Sequence, residues 1–360
     1  MGIRIRRKDR TLERSRRLEM GKDTANGHAP VGGKSRVARK VFQSYFYVLI
    51  WMANSIAVIL ANKWLLAYSG FPFPITLTLW HMTICSTIGF LCVRVFKVVK
   101  SHDMPSSEYV RRVLPIGLLY AASLWLSNSA YLYLSVSFIQ MTKSLMPGLV
   151  YGCGIMLGTE KFKLGSAMNM TLIAFGVLVC AVGEDNLVVK GLVQQLVALL
   201  FEAARLTLVQ ILMAGRGIKL NPLQSLYYVS PACLVCLLVP FAFVELEALM
   251  TNPPVIYPAI LLGNGMIAFS LNLAVFLLIG KTSALTMNIA GVIKDWALIF
   301  FSYSVFKAPV TALNLFGYVF CCSGVAVYNW QKLQGLRKSE AEKALPSTVQ
   351  NVPVTNRTEK

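Results

Sequence analysis

Charge is scarce in this sequence, and what there is lies mostly outside its middle. Asp, Glu, Lys and Arg supply 14% of 360 residues, against about a quarter in an average soluble domain. AVILMFWYC residues make up 56% and mean hydropathy is +0.58, so a soluble fold of this length could not hide its apolar surface. Histidine is equally sparse: His28 lies in a tail, His102 in a basic loop, and only His81 near an apolar run. HExxH, a phosphate-cradling Gly-Lys-Ser loop and a nucleophile elbow are all missing. Nothing supports an enzyme, and neither a metal nor a cofactor is expected. All eight cysteines sit inside apolar stretches, which argues against a disulfide framework. Cys233 and Cys236 have zinc-like spacing but no second Cys or His pair beside them.

What the chain does contain is a succession of apolar runs from Val41 to Trp330, each near the roughly 20 residues that a bilayer core requires. They predict helices over 42–62, 75–97, 112–133, 136–157, 164–183, 188–213, 222–244, 256–279, 282–305 and 309–331. The reading is an all-α integral membrane protein with ten transmembrane helices. Residues 1–40 form a disordered basic cytosolic tail, 41–331 the ten-helix domain and 332–360 a second disordered cytosolic tail. The first tail has no apolar h-region, and its acids Asp9, Glu13, Glu19 and Asp23 disfavour a transit peptide.

Net charge is +19, which in a soluble protein would suggest nucleic acid. Here the bases occupy the tails and alternate loops, following the positive-inside rule. Arg94, Lys97, Lys100, Arg111, Arg112, Lys161, Lys163, Arg216, Lys219 and Lys281 fall on the side of both tails. Lys63, Lys190 and Lys307 fall opposite, with Glu184, Asp185, Glu245 and Glu247. An even helix number with both termini cytosolic follows. The chain divides into two five-helix halves, each with a short turn before its fourth helix, Leu134-Ser135 and Gly280-Lys281. Odd-numbered repeats in one chain must be inverted, the plan of many secondary transporters that bind substrate at the midplane.

Two lysines lie deep in predicted helices, Lys143 in the fourth and Lys294 in the ninth. A Lys at the bilayer centre costs roughly 2.5–3.5 kcal/mol on insertion scales, so each needs a partner or a use. In an inverted repeat both approach one central cavity and make a cationic site for an anion with several oxygens. The bland alternative is internal pairing. Asp295 adjoins Lys294, but neighbouring helical residues do not face each other; Asp295 is expected to pair across helices or to bind a polar part of the substrate. Glu202 and Arg205 can bridge one another or touch substrate, and Gln195 shares their face. Asn54, Ser127, Asn128, Gln140, Asn272 and Asn288 are further candidates to line the cavity, or simply to join helices.

The segments SVSFIQMTKSLMPGLVYG, VQILMAGRGIKLNPLQSLYYVSP and LNLAVFLLIGKTSALTMNIAGVIKDW resemble the triose-phosphate and nucleotide-sugar translocators of the drug/metabolite transporter superfamily. They are similar above all to the plant-type branch with a Lys-Asp pair in helix nine, and the resemblance spans residues 40–332. It implies that Lys143 and Lys294 hold substrate phosphate, that Ser127 stands where a threonine contacts phosphate, and that Arg205 lies near the substrate. Three positions depart from the triose-phosphate pattern: Asp295 replaces an arginine, Gln140 a histidine and Leu271 a tyrosine. One fewer cation and one more acid favour a pentose or hexose phosphate, or a nucleotide sugar, over a compact triose phosphate.

The resulting expectation is an antiporter in the Golgi or another endomembrane, or alternatively the plastid envelope. It exchanges a phosphate-bearing anion (sugar phosphate for phosphate, or nucleotide sugar for nucleotide), with the lipid bilayer as its other partner and no nucleic acid. The rival is a noncatalytic membrane scaffold or trafficking factor that keeps a carrier fold. A channel is disfavoured, because no ring of like residues or filter loop is present.

Overall fold

The computed structural model describes residues 31–99, 105–216, 222–254, 257–279 and 284–344, and contains no strand among them. Helix α1 is Val31–Ala67 and α2 is Pro74–Phe90 with a π turn, Leu91–Val95. A short Ser106–Glu108 helix and a π turn at Tyr109–Val113 lead into α3, Leu114–Ala130. Helix α4 is built from Val136–Thr142, a 3₁₀ turn at Lys143–Leu145 and Met146–Met156. Then come α5 (Leu164–Val182), α6 (Val189–Arg216) and α7, which is Pro222–Pro240 continued by a π turn at Phe241–Glu245 and by Leu246–Thr251. Helices α8 (Pro258–Ile279), α9 (Ala284–Phe306) and α10 (Ala312–Ala344) complete the chain. The first and last helices run beyond the predicted 42–62 and 309–331, into segments expected to be tail. The Gly280-Lys281 turn lies outside the described residues.

Seven helices among the described residues are long and apolar enough to cross a membrane: those of α1, α2, α3, α5, α6, α7 and α10. The protein is a multi-pass membrane protein. Of the ten expected, α4, α8 and α9 are not among the seven, and for two of them the reason is visible. In α8 the apolar stretch described is the shorter Pro258–Ala274, and α4 is interrupted in its middle. Pro147 causes that interruption: it has no N–H to give to the carbonyl four residues back, and its ring crowds that carbonyl. The carbonyl belongs to Lys143, which instead accepts the N–H of Met146 and tightens the turn.

Each helix start has a local reason. Pro occupies the first turn of α2 and α3, where a missing N–H costs nothing. Ser135 caps α4 by accepting the Phe138 N–H at 3.1 Å. Glu245, in the π turn of α7, accepts the N–H groups of Ile75 and Thr76 at 2.7 Å each, placing an anion on the positive end of α2.

Within residues 47–360, the dominant packing pairs are α5 with α10, α3 with α6, α2 with α7 and α3 with α7, followed by α4 with α6 and with α9. Lipid tails are as apolar as Leu, so these pairs are held by close fit and hydrogen bonds rather than by the hydrophobic effect. At the α5–α10 crossing, a Cβ on Gly176 would stand 2.8 Å from the Gly317 carbonyl oxygen, and one on Gly317 2.7 Å from the Gly176 carbonyl oxygen. Only glycine fits at either place. The largest core cluster, with Phe71, Leu134, Phe138, Ile139, Leu298, Ile299 and Tyr318, fills the end of the bundle where α4 begins and α9 finishes. Ser137 N–H donates to Ser302 Oγ at 3.3 Å there, joining α4 to α9.

Candidate functional site

Lys143 sits in the broken turn of α4, partly buried, and forms no salt bridge within 4.0 Å among the described residues. Two acids act on it electrostatically, Asp295 from α9 and Glu202 from α6. Lys294 pairs with Asp295 at 3.0 Å, and its Nζ lies 5.7 Å from the Trp51 ring centroid on α1. Asp295 is therefore the acid common to both lysines.

The expected cross-helix partner for Asp295 is corrected here. Its Cβ and that of Lys294 diverge around the helix, as neighbours must, but the four-carbon lysine stem is long enough to fold back over the one-residue step.

Glu202 and Arg205 form a two-bond ion pair in which Arg205 Nε donates to Glu202 Oε2 at 2.8 Å and Nη2 donates to Oε1. Ser123 Oγ also donates to Glu202, at 3.2 Å, and the guanidinium lies 4.5 Å from the Tyr120 ring centroid. Of the two readings left open by the sequence, the geometry realises the ion pair. The five charges at this level are Lys143, Lys294 and Arg205 against Asp295 and Glu202, three minus two, a formal surplus of one positive charge. That surplus can attract an anion without leaving two bare cations in the empty site.

The smaller polar candidates separate. Asn128 is buried and fully engaged: it donates to Thr78 Oγ1 at 2.9 Å and accepts from Asn62 at 3.4 Å. Asn264 donates to Asn62 Oδ1 at 3.0 Å and meets His81 Nε2, so α1, α2, α3 and α8 are joined by one buried chain of amides. Asn128 belongs to that joint. Asn272 donates to Ala268 O in its own helix at 2.9 Å and approaches Cys85 Sγ at 3.8 Å. Asn54 likewise bonds Ile50 O on its own helix at 2.9 Å. Ser127 makes no hydrogen bond among the described residues, and the Asn288 side chain lies outside them. Gln140 is 0% exposed, and both of its amide atoms lack a hydrogen-bond partner among the described residues.

Sequence reasoning missed Lys63, which it placed in a loop. Lys63 is 7% exposed and donates to the carbonyls of Tyr131 at 2.7 Å and Leu134 at 3.0 Å. It thereby neutralises the negative end of α3 and fixes the turn into α4. The available signal was its position before Trp64-Leu65-Leu66-Ala67, still inside an apolar run. Glu184 was also read as a loop charge. It is 9% exposed and accepts Ser135 Oγ at 2.9 Å, at the start of α4. Burial pushes its carboxyl above the usual range, partly opposed by the Ser135 hydrogen bond.

Residues 42–329 match the model of the Triose-phosphate Transporter family. Two probable sugar phosphate/phosphate translocators of Arabidopsis thaliana are 53% and 54% identical over 310 residues, 85% of this chain and 89% and 88% of their own lengths. The UDP-uronic acid transporter 1 of the same plant is 28% identical over 290 residues, 79% of this chain and 94% of its own.

Proposed function

Because the chain belongs to the Triose-phosphate Transporter family, we propose that this transporter is an antiporter that exchanges a sugar phosphate for inorganic phosphate across an endomembrane, with Lys143 and Lys294 as the phosphate ligands. The observation that carries this reading is Lys143: an ammonium in the middle of an apolar helix, with no salt bridge among the described residues and with a broken backbone turn beside it. Such a group is costly to insert and is characteristically functional.

The packing pattern is in keeping with ten spans in two inverted halves, and the asymmetry of basic loop residues with both termini cytosolic. Adding five to a helix number maps α2–α7, α4–α9 and α5–α10 onto themselves, and α3–α7 onto α8–α2; all five are packed pairs. Sequence echoes this at the α5–α10 crossing, where Gly176 and Cys180 match Gly317 and Cys321 at the same spacing. The names of the relatives over half identical favour sugar phosphate with phosphate, while the more distant relative's name makes nucleotide sugars the second class to test.

Substrate phosphate would sit between the two ammonium groups, where Asp295 holds Lys294 until the anion displaces it. Ser127, without a hydrogen bond among the described residues, is the neutral donor for a phosphate oxygen. Arg205 would act through Glu202 unless substrate draws it away. The test is uptake of radiolabelled phosphate into proteoliposomes preloaded with triose, pentose or hexose phosphates, or with UDP-sugars. Exchange with at least one sugar phosphate and none with UDP-sugars is expected. Exchange with no phosphate ester would sink the reading and favour a scaffold that keeps a carrier fold.

A further inference from the structure

Two glutamines, Gln140 on α4 and Gln195 on α6, are buried without partners among the described residues. Gln140 and Gln195 are each 0% exposed, and in each both the amide nitrogen and the amide oxygen lack a hydrogen-bond partner. Buried amide groups are nearly always bonded, and each orphan requires an explanation. Leaving four such groups unpaired inside a membrane bundle is costly.

Their places are fixed by independent contacts. Gln140 is one turn before Lys143 on α4, and the Tyr131 hydroxyl lies beside its amide, short of hydrogen-bond geometry. Tyr131 is itself 3% exposed, interacts electrostatically with Lys294, and has its carbonyl pinned by Lys63 at 2.7 Å. Gln195 lies one turn beyond Gly191 on α6. A Cβ on Gly191 would stand 2.6 Å from Tyr133 Cβ, while farther along α6 Glu202 accepts Ser123 Oγ. Helices α3 and α6 thus run antiparallel, and Gln195 falls opposite the last turn of α3, beside the start of α4. Both amides lie between the charged layer and the sealed end of the bundle.

We propose that Gln140, Gln195 and Tyr131 form a second, uncharged subsite that binds the hydroxyl-bearing part of the substrate while the lysines hold its phosphate. This deepens the phosphate-exchange reading and rests on it. An amide presents donors and an acceptor together, and a phenol presents one of each, a set matched to sugar hydroxyls, each of which also donates and accepts. A carboxylate would leave the amide oxygens facing like charge. The subsite accordingly selects polyhydroxylated phosphate esters over phosphorylated carboxylic acids and over inorganic phosphate. Lys63 is a positioning residue for it, through the backbone of Tyr131.

The experiment compares Gln140→Leu, Gln195→Leu and Tyr131→Phe in proteoliposomes, measuring KM for inorganic phosphate and for glucose 6-phosphate and xylulose 5-phosphate, with melting temperature alongside. The proposal expects the KM for the better sugar phosphate to rise at least tenfold in each Leu variant, with the phosphate KM within twofold of wild type. Melting temperatures of the empty Leu variants should be unchanged or higher, because removing an unpaired buried polar group does not destabilise. Equal effects on phosphate and sugar phosphate, no effect on either, or a clearly lower melting temperature would overturn the subsite. Wild-type protein that exchanges no phosphate at all would instead overturn the phosphate-exchange reading beneath it.

Discussion

Lys143→Met replaces an ammonium by an unbranched apolar group of similar reach, and tests whether this charge serves substrate or structure. The side chain has no salt bridge among the described residues, so its removal strands no partner. Insertion becomes easier by roughly 2.5–3.5 kcal/mol, and the melting temperature in detergent should hold or rise. For transport, a unit charge pair about 4 Å apart at an effective dielectric near 20 is worth about 4 kcal/mol. Asp295 and Glu202 already offset part of the lysine's field, so about 3 kcal/mol is a reasonable net loss, roughly a hundredfold in phosphate affinity at about 1.4 kcal/mol per decade. Phosphate counterflow into proteoliposomes reads that loss directly, and Lys143→Arg, which keeps the charge, should recover part of it. Wild-type counterflow in Lys143→Met would refute the reasoning. So would a loss that tracks a lowered melting temperature, because that would make Lys143 a structural group.

Exchanging the charges in the double variant Glu202→Arg, Arg205→Glu should restore the folding lost in Arg205→Ala, read by melting temperature. The single change strands a partly buried acid, which in buried pairs costs roughly 3–5 kcal/mol. Recovered folding without recovered counterflow would return Arg205 to the substrate. Asp295→Asn removes the acid shared by both lysines and should slow return of the empty carrier more than exchange, widening the ratio of exchange to net uptake; an unchanged ratio would contradict its compensating role. Glu184 has a raised carboxyl pKa, so the folded state binds its proton more tightly than the unfolded state. Its contribution to stability is present below the unfolded value and is lost as pH rises through the folded one. Melting temperature should therefore fall between mildly acidic and neutral pH, and Glu184→Gln should flatten that slope and stabilise the protein at neutral pH; a steeper slope in the variant would refute the assignment.

Hydropathy made the helices legible, and the price of an intramembrane charge made Lys143 and Lys294 legible, because both signals are carried by single residues against an apolar background. Asp295 was misjudged because backbone periodicity says where a Cβ points but not how far a lysine stem bends. Lys63 and Glu184 were hidden for another reason. A charge near a helix end reads as a loop charge, and only the fold reveals that the carbonyls of Tyr131 and Leu134, or the hydroxyl of Ser135, turn inward to meet it. The break in α4 was latent in the four-residue spacing of Lys143 and Pro147. Gln195 was visible as a polar residue on an apolar face, but its lack of any partner is a property of the packing alone.

The central claim is obligatory exchange driven by neutralisation of the lysine pair. Closing an empty cavity around Lys143 and Lys294 desolvates both, and among the described residues only Asp295 is bonded to either, whereas bound phosphate neutralises them and favours closure, since a ligand shifts an equilibrium only by its differential affinity. Initial uptake of radiolabelled phosphate into vesicles preloaded with unlabelled phosphate, divided by uptake into empty vesicles, measures this directly. The account predicts a ratio of about ten or more, equivalent to at least about 1.4 kcal/mol in barrier height; equal uptake into loaded and empty vesicles would contradict it.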